Sequence, residues 1–241
     1  MSHPYFFIDP HGIEGDKIKI ESEDRNHLIN VLRSKIGDVV YVSDNADHRY
    51  ETEILDIKKT EVVLLIKDKI RIFRKTPLMT LFQCVLKKNS MELVIQKSTE
   101  IGVDRIIPVI STRVITDKKN ISRKTSRWQK ISDGASKQSK RDYKCEVLPP
   151  EEIHDIRVSD YDLFYIPYEE SSCSSENLLD VKNASSIGYV IGPEGGFENS
   201  ELVFLKQRGA REINFGKNIY RSETAAIYFL SVLNYLTGNQ K

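Results

Sequence analysis

Two short segments near the end of this 241-residue chain combine residue types that can do chemistry: Gly192-Pro193-Glu194-Gly195-Gly196 and Arg221-Ser222-Glu223-Thr224-Ala225. The first directly follows the apolar run at 187–191. Its glycines allow positive φ and let a ligand approach bare backbone, while Pro193 stiffens the turn. A purine can be read there by main-chain N–H and C=O groups. The second segment puts an arginine and a carboxylate at the start of what reads as the last helix. Unpaired N–H groups at a helix start favour an anion, and Arg221 adds a positive fork. Alone, the first is a plain strand-to-helix turn, and Glu223 is a first-turn carboxylate that suits the helix dipole. Together, in one domain, they point to a shared site that encloses a small cofactor. Their place near the C-terminus argues against the common nucleotide-binding layout, in which the glycine loop follows the first strand.

The elements that must position these loops fall into two groups. Short apolar or alternating runs at 5–8, 17–20, 39–42, 50–54 and 62–66 predict strands. Between them, Asp24 is expected to cap a short helix with Leu28, Val31 and Leu32 on one face, stopped at Gly37. Several strands with one helix predict a small barrel. Residues 67–75 read as a charged connector, so the expected division is 1–73 and 74–241. From Leu78 onward strands and helices alternate. Strands are expected at 81–86, 106–110, 163–166, 187–191 and 212–215. Helices are expected from Met91 to Gly102, at 123–138, from a cap at Asn199 or Ser200 to Gly209, and from a cap at Ser222 with Ala226, Phe229, Leu230 and Leu233 buried. This alternation predicts a parallel α/β sheet.

Composition narrows the function classes. Hydrophobic residues make up 39% and charged residues 29%, as in a soluble protein with a sizeable core. No stretch is apolar and long enough to span a bilayer, and no secretory signal is visible at the start. Cys84, Cys145 and Cys173 form no metal spacing and no disulfide frame, which predicts reduced thiols in a cytosol. The five histidines are scattered, so no metal is expected. The net charge of +1 hides segregation. Residues 118–144 carry ten Lys/Arg against Asp133 and Asp142, and residues 151–182 carry nine Asp/Glu against Arg157 and Lys182. A basic run is often only a solvated helix face, but one holding Trp128, Gln138 and Arg141 also suits nucleic acid.

At the two loops the chain resembles a SPOUT-superfamily RNA methyltransferase. More closely, it resembles the RsmE family, whose members methylate N3 of a uridine in bacterial 16S ribosomal RNA. Gln96-Lys97-Ser98-Thr99-Glu100-Ile101-Gly102-Val103 is similar to a third motif of that family, and His27-Leu28 with Val31-Leu32-Arg33 to one in its N-terminal domain. The chain departs from the family pattern at Ser90, at Lys137 and Lys140 around Gln138-Ser139, at Asn218 and at Tyr220.

The resemblance implies a PUA-like β-barrel that binds RNA at 1–73, then an α/β SPOUT domain with a deep trefoil knot at 74–241. It implies bent S-adenosylmethionine as cofactor, 16S ribosomal RNA of the small subunit as substrate, a homodimer, and a cytoplasmic location. It places the cofactor at Gly192, Pro193, Glu194, Gly195, Gly196, Phe215, Gly216, Ile219, Tyr220 and Thr224. Catalysis is expected from Arg221, with Glu223 orienting it or relaying the proton and Glu194 as the alternative carboxylate. RNA contacts are expected from Arg33, Arg113, Lys137, Gln138, Lys140 and Arg141. Two rivals stay open. One is an RNA-binding or ribosome-assembly module without catalysis. The other is an ordinary nucleotide-dependent α/β enzyme, against which stands the lack of a glycine fingerprint after the strand at 81–86.

Overall fold

The computed structural model describes residues 3–114, 118–169, 171, 175–214 and 216–238. The chain divides into two compact units, Met1–Arg74 with Ser136–Lys144, and Lys75–Ala135 with Cys145–Lys241.

The first unit is built on a six-stranded sheet of β1 (Tyr5–Phe7), β2 (Ile13–Glu14), β3 (Lys17–Glu21), β4 (Val39–Ser43), β5 (His48–Ile57) and β6 (Glu61–Arg71), in the order β1-β4-β5-β6-β3-β2. Its core comes from period-two alternation: Ile18 and Ile20, Val40 and Val42, and Val62 and Leu64 point inward. Among the described residues, β1 and β2 stand at the two ends of this pairing order. Residues 67–71 are not a connector. They continue β6, pairing with β5 from His48↔Arg71 to Glu51↔Asp68. All of 67–71 is exposed, so no hydrophobic alternation marks it and backbone pairing alone makes it a strand.

The short helix α1 (Ser22–Asn26) also departs from expectation. Glu21 holds the N-cap position, and Asp24 lies inside the first turn. The chain then widens into a π turn at His27–Val31, where the Leu32 N–H donates to the His27 carbonyl. That spacing breaks the i, i+3, i+4 stripe. Leu28 is fully buried, whereas Val31 is 65% exposed and Leu32 44%. Ser136–Lys144, distant in sequence, packs into this unit. Ser43 Oγ donates to the Asp142 carbonyl at 2.6 Å, Arg49 Nη1 to Asp142 Oδ1 at 3.1 Å, and the Lys144 N–H to Asn45 Oδ1 at 2.7 Å.

The second unit holds a seven-stranded, wholly parallel sheet. Its strands are β7 (Leu78–Cys84), β8 (Arg105–Ile110), β9 (Glu146–Val147), β10 (Glu151–Glu152), β11 (Leu163–Pro167), β12 (Ser186–Ile191) and β13 (Arg211–Ile213). They run in the order β10-β8-β7-β12-β11-β13, with β9 beside β8. The central strands are mostly apolar because both faces are covered, with Thr80 and Gln83 of β7 as buried polar exceptions. Tyr165 of β11 and Tyr189 of β12 face α2 (Lys88–Ile101), α3 (Lys118–Gln138) and α5 (Ser222–Thr237), while Phe164, Ile166 and Val190 face α4 (Asn199–Gln207). Gly188 has no room for a side chain, since a Cβ there would lie 2.5 Å from the Phe164 ring. Gly102, at φ 124°, ends α2 as expected. Glu198, not Asn199 or Ser200, caps α4. Trp128 is buried in the core, so it offers no face for stacking on a base.

Candidate active site

Four strands of the parallel sheet end beside one cavity of about 400 Å³. Its walls are Lys87 and Ser90 beyond β7, Pro167–Glu169 at the end of β11, residues 191–194 with Gly196 and Phe197 beyond β12, and residues 219–223 with Ala225 beyond β13. Open parallel sheets bind ligands at this edge, beyond the carboxyl ends of the strands. The volume lies within the range of cofactor pockets, roughly 300–1,000 Å³.

The loop after β12 is held along its length. At its start, Ser222 Oγ donates to the Gly192 carbonyl at 2.5 Å. The same hydroxyl accepts from Gln83 Nε2 at 3.0 Å, and Gln83 Nε2 also donates to the Cys84 carbonyl. A turn closes between Gly196 N–H and the Pro193 carbonyl, and Glu194 Oε1 accepts the Lys87 N–H at 3.2 Å. At the far end, Arg113 Nη1 donates to the Gly195 carbonyl and Arg113 Nε to Glu198 Oε1 at 2.8 Å. Behind this, the fully buried Glu201 accepts the Thr112 N–H, the Thr112 hydroxyl and the Glu198 N–H. The loop after β13 is tied by Asn214, which donates to the carbonyls of Glu169 and Ser171 and accepts the Gly216 N–H.

Ser222 is therefore not the cap of α5. Arg221 sits at the N-cap position, and no side chain caps the helix there. The hydroxyl is turned inward to Gly192 and Gln83, so among the described residues no side chain caps the first N–H groups of α5. Arg221 is exposed, and Glu223, two residues on, is half-buried. The cavity wall carries both signs: Lys87 and Arg221 against Glu169, Glu194 and Glu223. Ile219, 78% exposed, stands in the same wall as an apolar group open to a ligand. Tyr220 packs its ring on Tyr228, with centroids 5.3 Å apart. Burial pushes the Cys84 thiol well above its ordinary pKa, so this cysteine stays protonated and is no nucleophile.

The cavity gathers most of the cofactor and catalytic residues expected from sequence. Gly192, Pro193, Glu194, Gly196, Ile219, Tyr220, Arg221 and Glu223 line it. Gly195, Gly216 and Thr224 do not line it, and Phe215 lies outside the described residues. Sequence reasoning missed Tyr168, Glu169, Lys87, Phe197 and the inward hydroxyl of Ser222. A signal for the first two was present, because Pro167 ends an apolar run just as Gly192 does.

The six residues expected to meet RNA are divided. Arg33, Lys137, Gln138, Lys140 and Arg141 belong to the first unit, and Arg113 to the second. Lys137 Nζ bonds Asp24 at 2.5 Å and lies over the Phe6 ring. Arg141 Nε donates to the Tyr143 carbonyl. Gln138, Lys140 and Arg33 are exposed, the last two at positive φ.

A parallel α/β unit with a cavity of cofactor size at its strand ends has the build of a cofactor-binding α/β enzyme. A family model described as "RNA methyltransferase domain" matches residues 74–234, and one described as "RNA methyltransferase PUA domain" matches residues 20–67. The chain belongs to this RNA methyltransferase family. Within it, ribosomal RNA small subunit methyltransferase E of Bacillus subtilis is 30% identical over 93% of this chain and 92% of that protein. Among solved structures, a putative methyltransferase from Legionella pneumophila in complex with SAM is 28% identical, with a TM-score of 0.86 and 98% of each chain covered. Ribosomal RNA small subunit methyltransferase E from Neisseria gonorrhoeae, bound to S-adenosyl methionine, is 25% identical, with the same score and coverage.

Proposed function

We propose that this protein methylates N3 of a uridine in 16S ribosomal RNA of the small subunit, with S-adenosylmethionine as donor. The observation that carries this reading is the placement of Arg221, Glu223 and the uncapped start of α5 in one cavity with the glycine loop after β12. The residues present suit the donor. The cavity has the volume, Gly192 and Gly196 expose backbone to it, and Glu169 and Glu194 put negative charge where a cationic ligand binds. When bound, S-adenosylmethionine supplies an electrophilic methyl group on a cationic sulfur.

The chain's own residues must then deal with the base. Uridine N3 carries a proton at neutral pH, so the proton has to leave and the resulting anion has to be stabilised. Arg221 and the first N–H groups of α5 do the second job. Glu223 either orients Arg221 or relays the proton, with Glu194 as the alternative carboxylate. Residues 1–73 form the RNA-binding domain and 74–241 the methyltransferase domain, knotted through the loops after β12 and β13. Arg33, Gln138, Lys140 and Arg141 meet RNA phosphates, joined by Lys137 when it exchanges Asp24 for phosphate. Arg113 is left out of this set because its guanidinium is engaged by Gly195 and Glu198. The enzyme works as a homodimer in the cytoplasm.

Single-turnover methylation of small subunits lacking the modification, with donor saturating, tests the reading. Wild-type protein is expected to place one methyl on a uridine N3, located by mass spectrometry of the RNA. Absence of donor binding by calorimetry would overturn it.

A further inference from the structure

We propose that Arg113 is a positioning residue that clamps the cofactor loop from outside the cavity, rather than an RNA contact. This rests on reading the cavity as the cofactor site. Arg113 does not line that cavity, and neither does Gly195, whose carbonyl it holds; Gly192, Pro193, Glu194 and Gly196 on either side of Gly195 do. The side chain lies along the loop, since a Cβ on Gly195 would come within 3.3 Å of Arg113 Cδ. One guanidinium thus bonds the end of the glycine turn and, through Nε, the cap residue of α4. A planar fork can hold two acceptors at fixed angles, which a lysine cannot.

The clamp has a rigid base. Thr112, the preceding residue, gives both its N–H and its hydroxyl to Glu201, at 2.8 and 3.1 Å. Glu201 is fully buried and takes a third bond from the Glu198 N–H at 2.8 Å. The loop after β8, the first turn of α4 and the glycine turn are thereby one hydrogen-bonded frame. Its function is to fix which backbone groups of 192–196 face the ligand. A loop free to rotate about Gly195 and Gly196 would lose that set, and displacements of about 1 Å can cost roughly a hundredfold in rate.

The test separates cofactor from RNA. In Arg113→Ala, calorimetry is expected to show S-adenosylmethionine bound roughly tenfold or more weakly. Affinity for 16S ribosomal RNA and its salt dependence should stay within about twofold. KM for the donor rises and KM for RNA does not. Arg113→Lys restores part of the loss, and adding Glu198→Ala to Arg113→Ala adds little, because both act on one frame. A role confined to general stability would instead lower Tm and weaken both ligands together, which overturns the proposal. So does a loss of RNA affinity with donor binding intact, which would return Arg113 to the RNA. If wild-type protein bound no donor, the reading of the cavity would fail first, before the clamp was tested.

Discussion

Around the cavity, charged side chains and main-chain bonds are divided by depth. Gln83, Arg113 and Glu201 hold the loops from behind, Ser222 joins the two loops at the wall itself, and Arg221, Glu223, Glu194 and Glu169 stand in the wall. The basic segment at 136–144 is arranged otherwise. Lys137 is bonded to Asp24, Asp142 binds Arg49, Tyr143 lies under Arg74 at 4.6 Å, and only part of the segment faces outward. Charge density along the sequence thus overstates the charge free to meet RNA, whereas a few glycines and one arginine understate how completely the cavity is framed. The contrast has a physical source. Strand ends of a parallel sheet converge by topology, so residues after different strands meet without any charge pattern. A basic run must neutralise some of its own charge to fold against the unit that carries it.

Arg221 is where this contrast breaks most sharply. Arg221→Ala should lower single-turnover methylation by roughly two to three orders of magnitude while donor binding changes little. Near-normal turnover would mean that the wall charges are not the reactive ones. Ser222→Ala comes next. It strips the Gly192 carbonyl of a bond and leaves Gln83 Nε2 one acceptor short. The cost should be about 1–3 kcal/mol, read as a lower Tm together with weaker donor binding. Unchanged affinity would show that the two loops keep their places without the shared hydroxyl.

Much of this was legible beforehand, for reasons that differ by residue. The strands at 163–166 and 187–191 announce themselves because both faces are apolar, and the glycine turn after the second marks where the sheet opens. Two misreadings share another cause, and the bonds of Arg113 are of the same kind. Ser222 has the right type and place for a cap, yet a buried acceptor at Gly192 competes for its hydroxyl and wins. Val31 and Leu32 have helical spacing, yet a π turn changes the phase and leaves them exposed. Arg113 is an exposed-looking arginine whose partners, Gly195 and Glu198, come from more than eighty residues away. In each case a bond outside the expected local pattern decides the outcome. The grouping of Ser136–Lys144 with the first unit is of the same kind, since it rests on bonds to Ser43, Asn45 and Arg49.

The basic segment allows a finer division. Reversing charge at Lys140 and Arg141 should weaken RNA binding and reduce the slope of log affinity against log salt by about one for each phosphate no longer bound. Lys137→Ala should behave differently. It loses a half-buried pair with Asp24, so a drop in stability of about 1 kcal/mol or less accompanies a smaller change in RNA affinity. If Lys137→Ala left RNA affinity unchanged, Lys137 would not exchange Asp24 for phosphate and would serve the fold alone.

The smallest effect concerns acid, and it falls on the first unit alone. Asp44 is almost wholly buried at the turn after β4. Burial by itself raises its pKa, but the N–H groups of His48, Ala46 and Asp47 and the Tyr50 hydroxyl outweigh that and hold it below the ordinary carboxylate value. The folded state therefore binds this proton less readily than the unfolded chain does. Its contribution is present in full above the unfolded pKa of about 3.9, and it is lost as pH falls through the lower folded value. Asp44→Ala should cost about 1 kcal/mol or more at neutral pH, since three N–H groups lose their acceptor. That difference from wild type should shrink as acid removes the charge from wild type too. Urea denaturation monitored between pH 7 and pH 3 measures it. A gap that stayed constant across this range would mean that Asp44 holds its turn by shape and not by charge.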